Sequence, residues 1–122
     1  MLWRAEEKGG AMIIIEGVND QGGKFRPSAW AQMLIEGVGL AHFGSDHKIH
    51  YLPMIEPATI NGNAAIIMDE ALEQLRPEAY KEILHFAKEN RLMIHYELGT
   101  LAERRAAENA AKREKNDSRR PV

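Results

Sequence analysis

Cysteine does not occur in this chain. Its absence excludes a disulfide framework, a thiolate nucleophile and any zinc site built on Cys, and it fits a reducing compartment, so the cytoplasm is the expected location. Long apolar runs are missing as well. No stretch approaches the roughly 20 residues that span a bilayer, and the opening MLWRAEEKGG lacks the continuous apolar core of a signal peptide. Neither membrane insertion nor export is expected. Also absent are G-x-G-x-x-G, Walker A, G-x-S-x-G and H-E-x-x-H. No nucleotide, metal or other cofactor is implied, and an enzyme is the less favoured class.

A large excess of one charge is lacking too, since the formal net charge is −2. The balance shifts along the chain: residues 1–98 hold 9 Lys/Arg against 14 Asp/Glu, and residues 99–122 hold 7 against 4. An acidic body with a mildly basic tail does not argue for nucleic acid. What is present, at 122 residues with 44% hydrophobic and 28% charged, is the composition of one globular domain and too little chain for two.

Residues 1–11 are largely polar, contain Gly9-Gly10 and precede a second methionine, so a flexible extension is expected there. AMIIIEGV, residues 11–18, is apolar up to the turn formers NDQGGK, which predicts a buried strand. In FRPSAWAQML, Pro27 disfavours helix at Arg26 and Ser28 is a good N-cap. A helix is expected from Ser28, with Trp30, Met33, Leu34 and Val38 on one face and Gly37 and Gly39 ending it. HKIHYLPMIEP predicts a second strand, placed at a sheet edge by Pro53. NGN, residues 61–63, is a hairpin signal, and AAIIMD, residues 64–69, a third and continuously apolar strand. A helical turn at EALEQL leads to a helix from Pro77 to about Asn90, and LMIHYEL, residues 92–98, alternates as a half-polar fourth strand.

AMIIIE followed by FRPSAWAQML returns as AAIIMD followed by LRPEAYKEIL. Such an internal repeat of a strand–helix unit, with the order strand, helix, strand, strand, helix, strand, predicts an α+β fold. The specific expectation is a ferredoxin-like βαββαβ single domain over residues 12–98, its first and third strands parallel neighbours at the sheet centre. Pro27/Pro77 and Trp30/Tyr80 are then helix entry and core packing. The functional alternative is that Arg26, Ser28 and Arg76, beside helix starts, bind an anion. Helices cover one face of such a sheet, yet both central strands are apolar on both faces. The second face needs a cover, for which Leu2 and Trp3, a ligand or a second copy are candidates. Symmetric dimers are the commonest solution, so a homodimer is expected with Met12, Ile14, Ile66 and Met68 at its interface.

For chemistry, His42, His47, His50, His85 and His95 invite a metal reading. His47 and His50, three apart on a strand, point to opposite faces, and His85 has Glu82 and Glu89 as solvated neighbours, so no metal site is predicted. Glu16 and Asp69 end the two central strands at matching positions, where they would form a carboxylate pair for acid–base work; alternatively Asp69 caps EALEQL. A base-stacking RNA platform needs aromatics on the central strands, which here carry Ile, Met and Ala. Residues 99–122 form a charged, Ala-rich tail. Thr100 and Glu103 make a capping box, Arg104–Glu108 and Glu108–Lys112 pair at i,i+4, and the helix is expected to give way to disorder near Asn116.

Between Met12 and Tyr96 the chain resembles a family of short proteobacterial proteins catalogued as a domain of unknown function, most specifically in FRPS-W and P-AY--L--FA--N-L. The family pattern has an acidic residue after Ser28, where this chain has Ala29, which weakens a role for a charged helix start. The resemblance implies a bacterial cytosolic protein and carries over no reaction, cofactor or catalytic residue. The functional expectation is a noncatalytic binding or regulatory module acting as a homodimer, with the tail as a second partner contact. The alternatives are a small enzyme using Glu16, Asp69 or a histidine at the dimer seam, and nucleic-acid binding through the basic tail.

Overall fold

The computed structural model describes residues 10–118. Its centre is β1 (Ala11–Asn19), the apolar run flanked by turn formers. β1 lies between β5 (Asn63–Asp69) and β6 (Leu92–Leu98), and β4 (Ile55–Ile60) completes the order β4-β5-β1-β6. Every pairing is antiparallel, which corrects the parallel pairing expected for the first and third strands. The reason is local. β4 and β5 are joined by a tight hairpin whose central residues, Asn61 (φ 54°) and Gly62 (φ 79°), take the left-handed conformation that such turns demand. The chain crosses from β1 to a parallel β4, and the hairpin then reverses it, so β5 runs against β1.

HKIHYLPMIEP is not one strand. Ile49–Tyr51 forms β3, which pairs with β2 (Ala41–Phe43) in a separate two-stranded ribbon, and the chain joins the main sheet only from Ile55. Pro53 sits in the link. The edge proline is Pro57: Asp69 N–H donates to Met54 C=O at 2.9 Å, and counting along the ladder from that pair turns the nitrogen of Pro57 away from β5.

α1 (Trp30–Gly37) starts later than Ser28. A turn comes first, closed by Trp30 N–H donating to Pro27 C=O at 3.0 Å, and Ala29 takes the N-cap with no side-chain bond. The helix ends at Gly39, whose φ of 84° lets Leu40 N–H reach back to Ile35 C=O at 3.0 Å. α2 (Leu72–Leu75) is one turn, and α3 (Pro77–Glu89) begins on Pro77, which has no N–H to leave unsatisfied. α4 (Leu101–Ser118) follows β6 directly and opens with the expected capping box: Glu103 N–H donates to Thr100 Oγ1 at 3.2 Å and Thr100 N–H to Glu103 Oε1 at 2.9 Å.

Antiparallel register decides which side chains share a face. Ile13 is opposite Met68 and Ile15 opposite Ile66. These four pack with Ile55 against Trp30, Ile35, Tyr80 and Ile83, forming the core under α1 and α3. Ile66 and Met68 are therefore on the helix-covered face, not beside Met12 and Ile14 as the interface expectation had them. Met12 and Ile14 do lie on the other face, with Ile67, but there Leu101 of α4 buries them, flanked by Ala58 and Ile60. The cover sought in a second copy is supplied by the chain's own tail. Beyond Glu16 the pairing of β1 with β6 shifts. Gly17 lies there, where a Cβ would sit 2.5 Å from Ala64 C=O and 2.6 Å from Trp30 Nε1.

The ordered body is wider than residues 12–98. Gly99 N–H donates to Gly10 C=O at 2.9 Å and Ala11 pairs with Leu98. Leu101 is fully buried. The rest of the expected N-terminal extension, residues 1–9 with Leu2 and Trp3, and residues 119–122 lie outside the described residues; α4 itself continues past Asn116 to Ser118. Among the described residues no helix is long and apolar enough to cross a membrane.

Truncating Leu101 would open a cavity over Met12, Ile14 and Ile67. Leu101→Ala is expected to cost about 2–4 kcal/mol, read from urea unfolding of the full chain.

Candidate functional site

The α4 side of the sheet carries its polar groups at two ends. At one end the Asn61-Gly62 turn and β5 present Asn61 and Asn63 to Glu16, and β6 presents His95 from the other side. Asn63 Nδ2 donates to Glu16 Oε2 at 2.9 Å, Asn61 Nδ2 to the same oxygen at 3.4 Å, and His95 Nε2 lies 3.2 Å from Oε1. Glu16 is 5% exposed. The Asn63 amide holds its carboxyl below the usual glutamate range, helped by His95 and Asn61 and opposed by burial. A hydrogen bond from His95 to an ionised Glu16 places a proton on Nε2 of a side chain that is 42% exposed. The arrangement orients an imidazole. It does not make Glu16 a base, because a carboxylate stabilised in its ionised form resists protonation.

At the other end Asp69 Oδ1 accepts the buried N–H of Leu101 at 2.9 Å. Asp69 caps a helix, but it is α4, 32 residues away in sequence, rather than the turn that follows it. The N-cap of α2 is Ala71. Burial pushes the Asp69 carboxyl up, against the lowering effect of the Leu101 N–H. Close by, Arg105 bridges to Glu56 with N–O distances of 2.8 and 2.9 Å. Four residue steps along β1 separate the row of Asp69 from the row of Glu16, about 13 Å. The expected carboxylate pair is thus excluded by the antiparallel register.

Arg26 and Arg76 are also kept apart. Each follows one of two antiparallel neighbours, so the two connections leave opposite ends of the sheet. Arg26 is exposed at the rim of a 290 Å³ cleft floored by Phe25, Trp30 and Phe86. Trp30 stacks on Phe86 at 5.9 Å, and Phe25 meets both rings edge-on. Ser28 lines a different cleft, of 360 Å³, with Gln32, Pro57 and Thr59. Arg76 is exposed and donates to Leu75 C=O at 3.2 Å. A third cleft, of 520 Å³, lies between Asp69, Glu70, Glu73 and Thr100. None of these three touches Glu16 or His95.

The histidines stay dispersed. His42 and His50 face each other across the ribbon with rings 5.4 Å apart, His50 Nε2 lies 2.9 Å from Asp46, and His85 pairs with Glu89 at 3.2 Å. Among the described residues no three His, Asp or Glu side chains converge to hold a metal ion.

Sequence reasoning placed the alternating strand LMIHYEL at a sheet edge but did not name that edge, now β6, as a binding feature. Gly99 N–H bonding to Gly10 C=O fixes the alternation: Glu97, His95 and Met93 point their backbone groups at β1, and Ile94, Tyr96 and Leu98 point theirs outward. The bond from Glu70 N–H to Ala11 C=O gives the same parity from the other side of β1. Among the described residues no strand pairs with that outer side. It is rimmed by Met93, 41% exposed, Tyr96, 64%, and Leu98, 84%. The β4 edge, by contrast, is blunted by Pro57. The signal was in LMIHYEL all along: an edge strand with neither proline nor lysine.

A family described as protein of unknown function (DUF3579) matches residues 10–97, and the chain belongs to it. A solved solution structure, described as the first structural representative of its family, is similar at 36% identity with a TM-score of 0.62, covering 73% of this chain and 81% of that one. No curated protein matches the chain.

Two outcomes follow from the buried carboxylates. Glu16 has a lowered folded pKa, so its contribution is complete above the ordinary value of 4.5 and is lost as pH falls through the folded value. The urea midpoint of Glu16→Gln should therefore lie below that of the wild type at pH 7 and approach it in acid. At Asp69 burial disfavours the charge, so the capping oxygen is what counts. Asp69→Ala should cost about 1–2 kcal/mol, and Asp69→Asn should recover most of it in the same unfolding measurement.

Proposed function

We propose that this member of the DUF3579 family is a noncatalytic binding module that takes up a strand from a protein partner at the outer edge of β6. The observation that carries the reading is the outward set of backbone groups on Ile94, Tyr96 and Leu98, unpaired among the described residues and rimmed by exposed apolar side chains. Strand addition uses such an edge because main-chain hydrogen bonds supply affinity and alternate side chains supply selectivity. Natural sheets usually blunt a free edge with proline, lysine or a covering segment. β4 has such a device, whereas β6 has none among the described residues.

The proposal includes a regulatory or scaffolding role rather than a reaction. Glu16 is held by Asn61, Asn63 and His95 and stabilised as the anion, which favours a positioning role over acid–base work. The tail is a second contact surface in this reading, since α4 is exposed from Ala106 to Lys112. The architecture is taken as a ferredoxin-like variant with the β2–β3 ribbon as an insertion. In support, setting the ribbon aside leaves two strand–helix–strand halves interleaved in one antiparallel sheet.

Amide exchange of the 15N-labelled full chain tests the edge. In dilute buffer Ile94, Tyr96 and Leu98 should exchange faster than Met93, His95 and Glu97. In unlabelled cell extract, or at high protein concentration, the first three should become protected. Three amides that stay equally fast under all conditions would refute strand addition.

A further inference from the structure

We infer that the strand received by β6 is β6 of a second copy, paired antiparallel about a two-fold axis at His95. The inference rests on the strand-addition reading and names its partner. It follows from parity. Outward-pointing residues of one strand must face outward-pointing residues of the other, because only those have free N–H and C=O groups. On β6 these are the even-numbered residues Leu92, Ile94, Tyr96 and Leu98. Two-fold axes at Ile94, His95 and Tyr96 all satisfy that rule, but the overlap differs. An axis at Ile94 pairs only residues 92–96 and one at Tyr96 only residues 94–98. An axis at His95 pairs the whole of Leu92–Leu98 with its copy.

That register also matches side chains. On the helix-covered face it sets Leu98 opposite Leu92 and Tyr96 opposite Ile94, so the two most exposed apolar side chains of the strand meet residues already anchored in the core cluster. On the other face it sets Met93 opposite Glu97, whose aliphatic stem can lie along the thioether, and His95 opposite His95. This central pair is of the non-hydrogen-bonded kind, in which side chains approach most closely, with Cα atoms about 4.5 Å apart. Each ring is held by its own Glu16, at 3.2 Å, so the chain itself orients the seam. The product is one eight-stranded antiparallel sheet with β4, the edge bearing Pro57, at both outer ends. Association therefore closes at two copies. It differs from the sheet-face dimer expected from sequence, and it leaves the contact of Leu101 with Met12 and Ile14 intact.

The absence of cysteine from the chain makes the register directly readable. His95→Cys places the only thiols of a dimer at the axis, within the Cα separation that a disulfide accepts. Met93→Cys places them about 13 Å apart, beyond reach. Mild oxidation of the full chain should cross-link His95→Cys to a dimer at least tenfold faster than Met93→Cys. Sedimentation equilibrium of the unmodified chain at roughly 5–200 µM, a range that brackets micromolar affinity, should show a dimer. Tyr96→Pro should return it to monomer with an unchanged circular dichroism spectrum, because the N–H removed points away from β1. A monomer at the highest concentration overturns the homodimer; protection of Ile94, Tyr96 and Leu98 in extract would then show that a different strand, from another protein or from residues 1–9, takes the edge. Equal cross-linking from positions 93 and 95, or a dimer indifferent to Tyr96→Pro, overturns the register.

Discussion

The hydrogen-bonded pairing of β1 with β5 is the constraint on which the rest of this molecule depends. Once Met12 is opposite Asp69 and Glu16 opposite Ala65, the pleat assigns every residue of both strands to a face. Ile13, Ile15, Ile66 and Met68 go under α1 and α3, and Met12, Ile14 and Ile67 go under α4. A slip of one residue would invert that assignment and drive Glu16 and Asp69 into the helix-covered core, where a charge without a partner is very costly. The Asn61-Gly62 turn fixes the neighbouring β4–β5 register by leaving no slack between those two strands.

The same pairing explains why a strong internal repeat does not yield two equivalent sites. Each half has an apolar central strand followed by an Arg-Pro segment, but antiparallel neighbours send their connections to opposite ends of the sheet. Arg26 ends beside an aromatic cleft and Arg76 beside α2. Glu16 becomes a hydrogen-bonded anion near the hairpin, and its repeat partner Asp69 becomes the cap of α4. Identical positions in sequence thus acquire different electrostatics, one carboxyl lowered by amide donors and the other raised by burial. The two similar segments share neither a chemistry nor a helix start: α3 begins on Pro77, whereas a turn separates Pro27 from α1.

The second sheet face shows how a short segment settles a large question. β1 is apolar on both sides, and such a strand must be covered twice. The first turn of α4 supplies the missing cover with one large apolar side chain, Leu101, held by a buried N–H bond to Asp69 and by the Arg105–Glu56 bridge. Because the face is satisfied from within, the unsatisfied part of the sheet moves to its perimeter. There the two edges differ by the placement of one proline, which blunts β4 and not β6.

Much of this could be read from residue order. The strands at residues 11–18, 64–69 and 92–98, the helix from Pro77, the turn at NGN and the capping box at Thr100 each follow from local rules that act over a few residues. These rules failed where a local signal had a rival. Ser28 is a good cap, yet the turn closed on Pro27 places Ala29 at the helix start. HKIHYLPMIEP has strand character throughout, but Ile49–Tyr51 pairs with Ala41–Phe43 instead of the sheet. The amino-acid sequence by itself determined the element types, the membership in a family and the need to bury β1 on both faces, because hydrophobic periodicity and turn chemistry are written in adjacent residues. Only the tertiary structure decided which residues share a face, which carboxylate meets which donor and which edge is blunted by an outward-facing proline. Those depend on strand direction and ladder parity, which arise when residues fifty positions apart are set side by side.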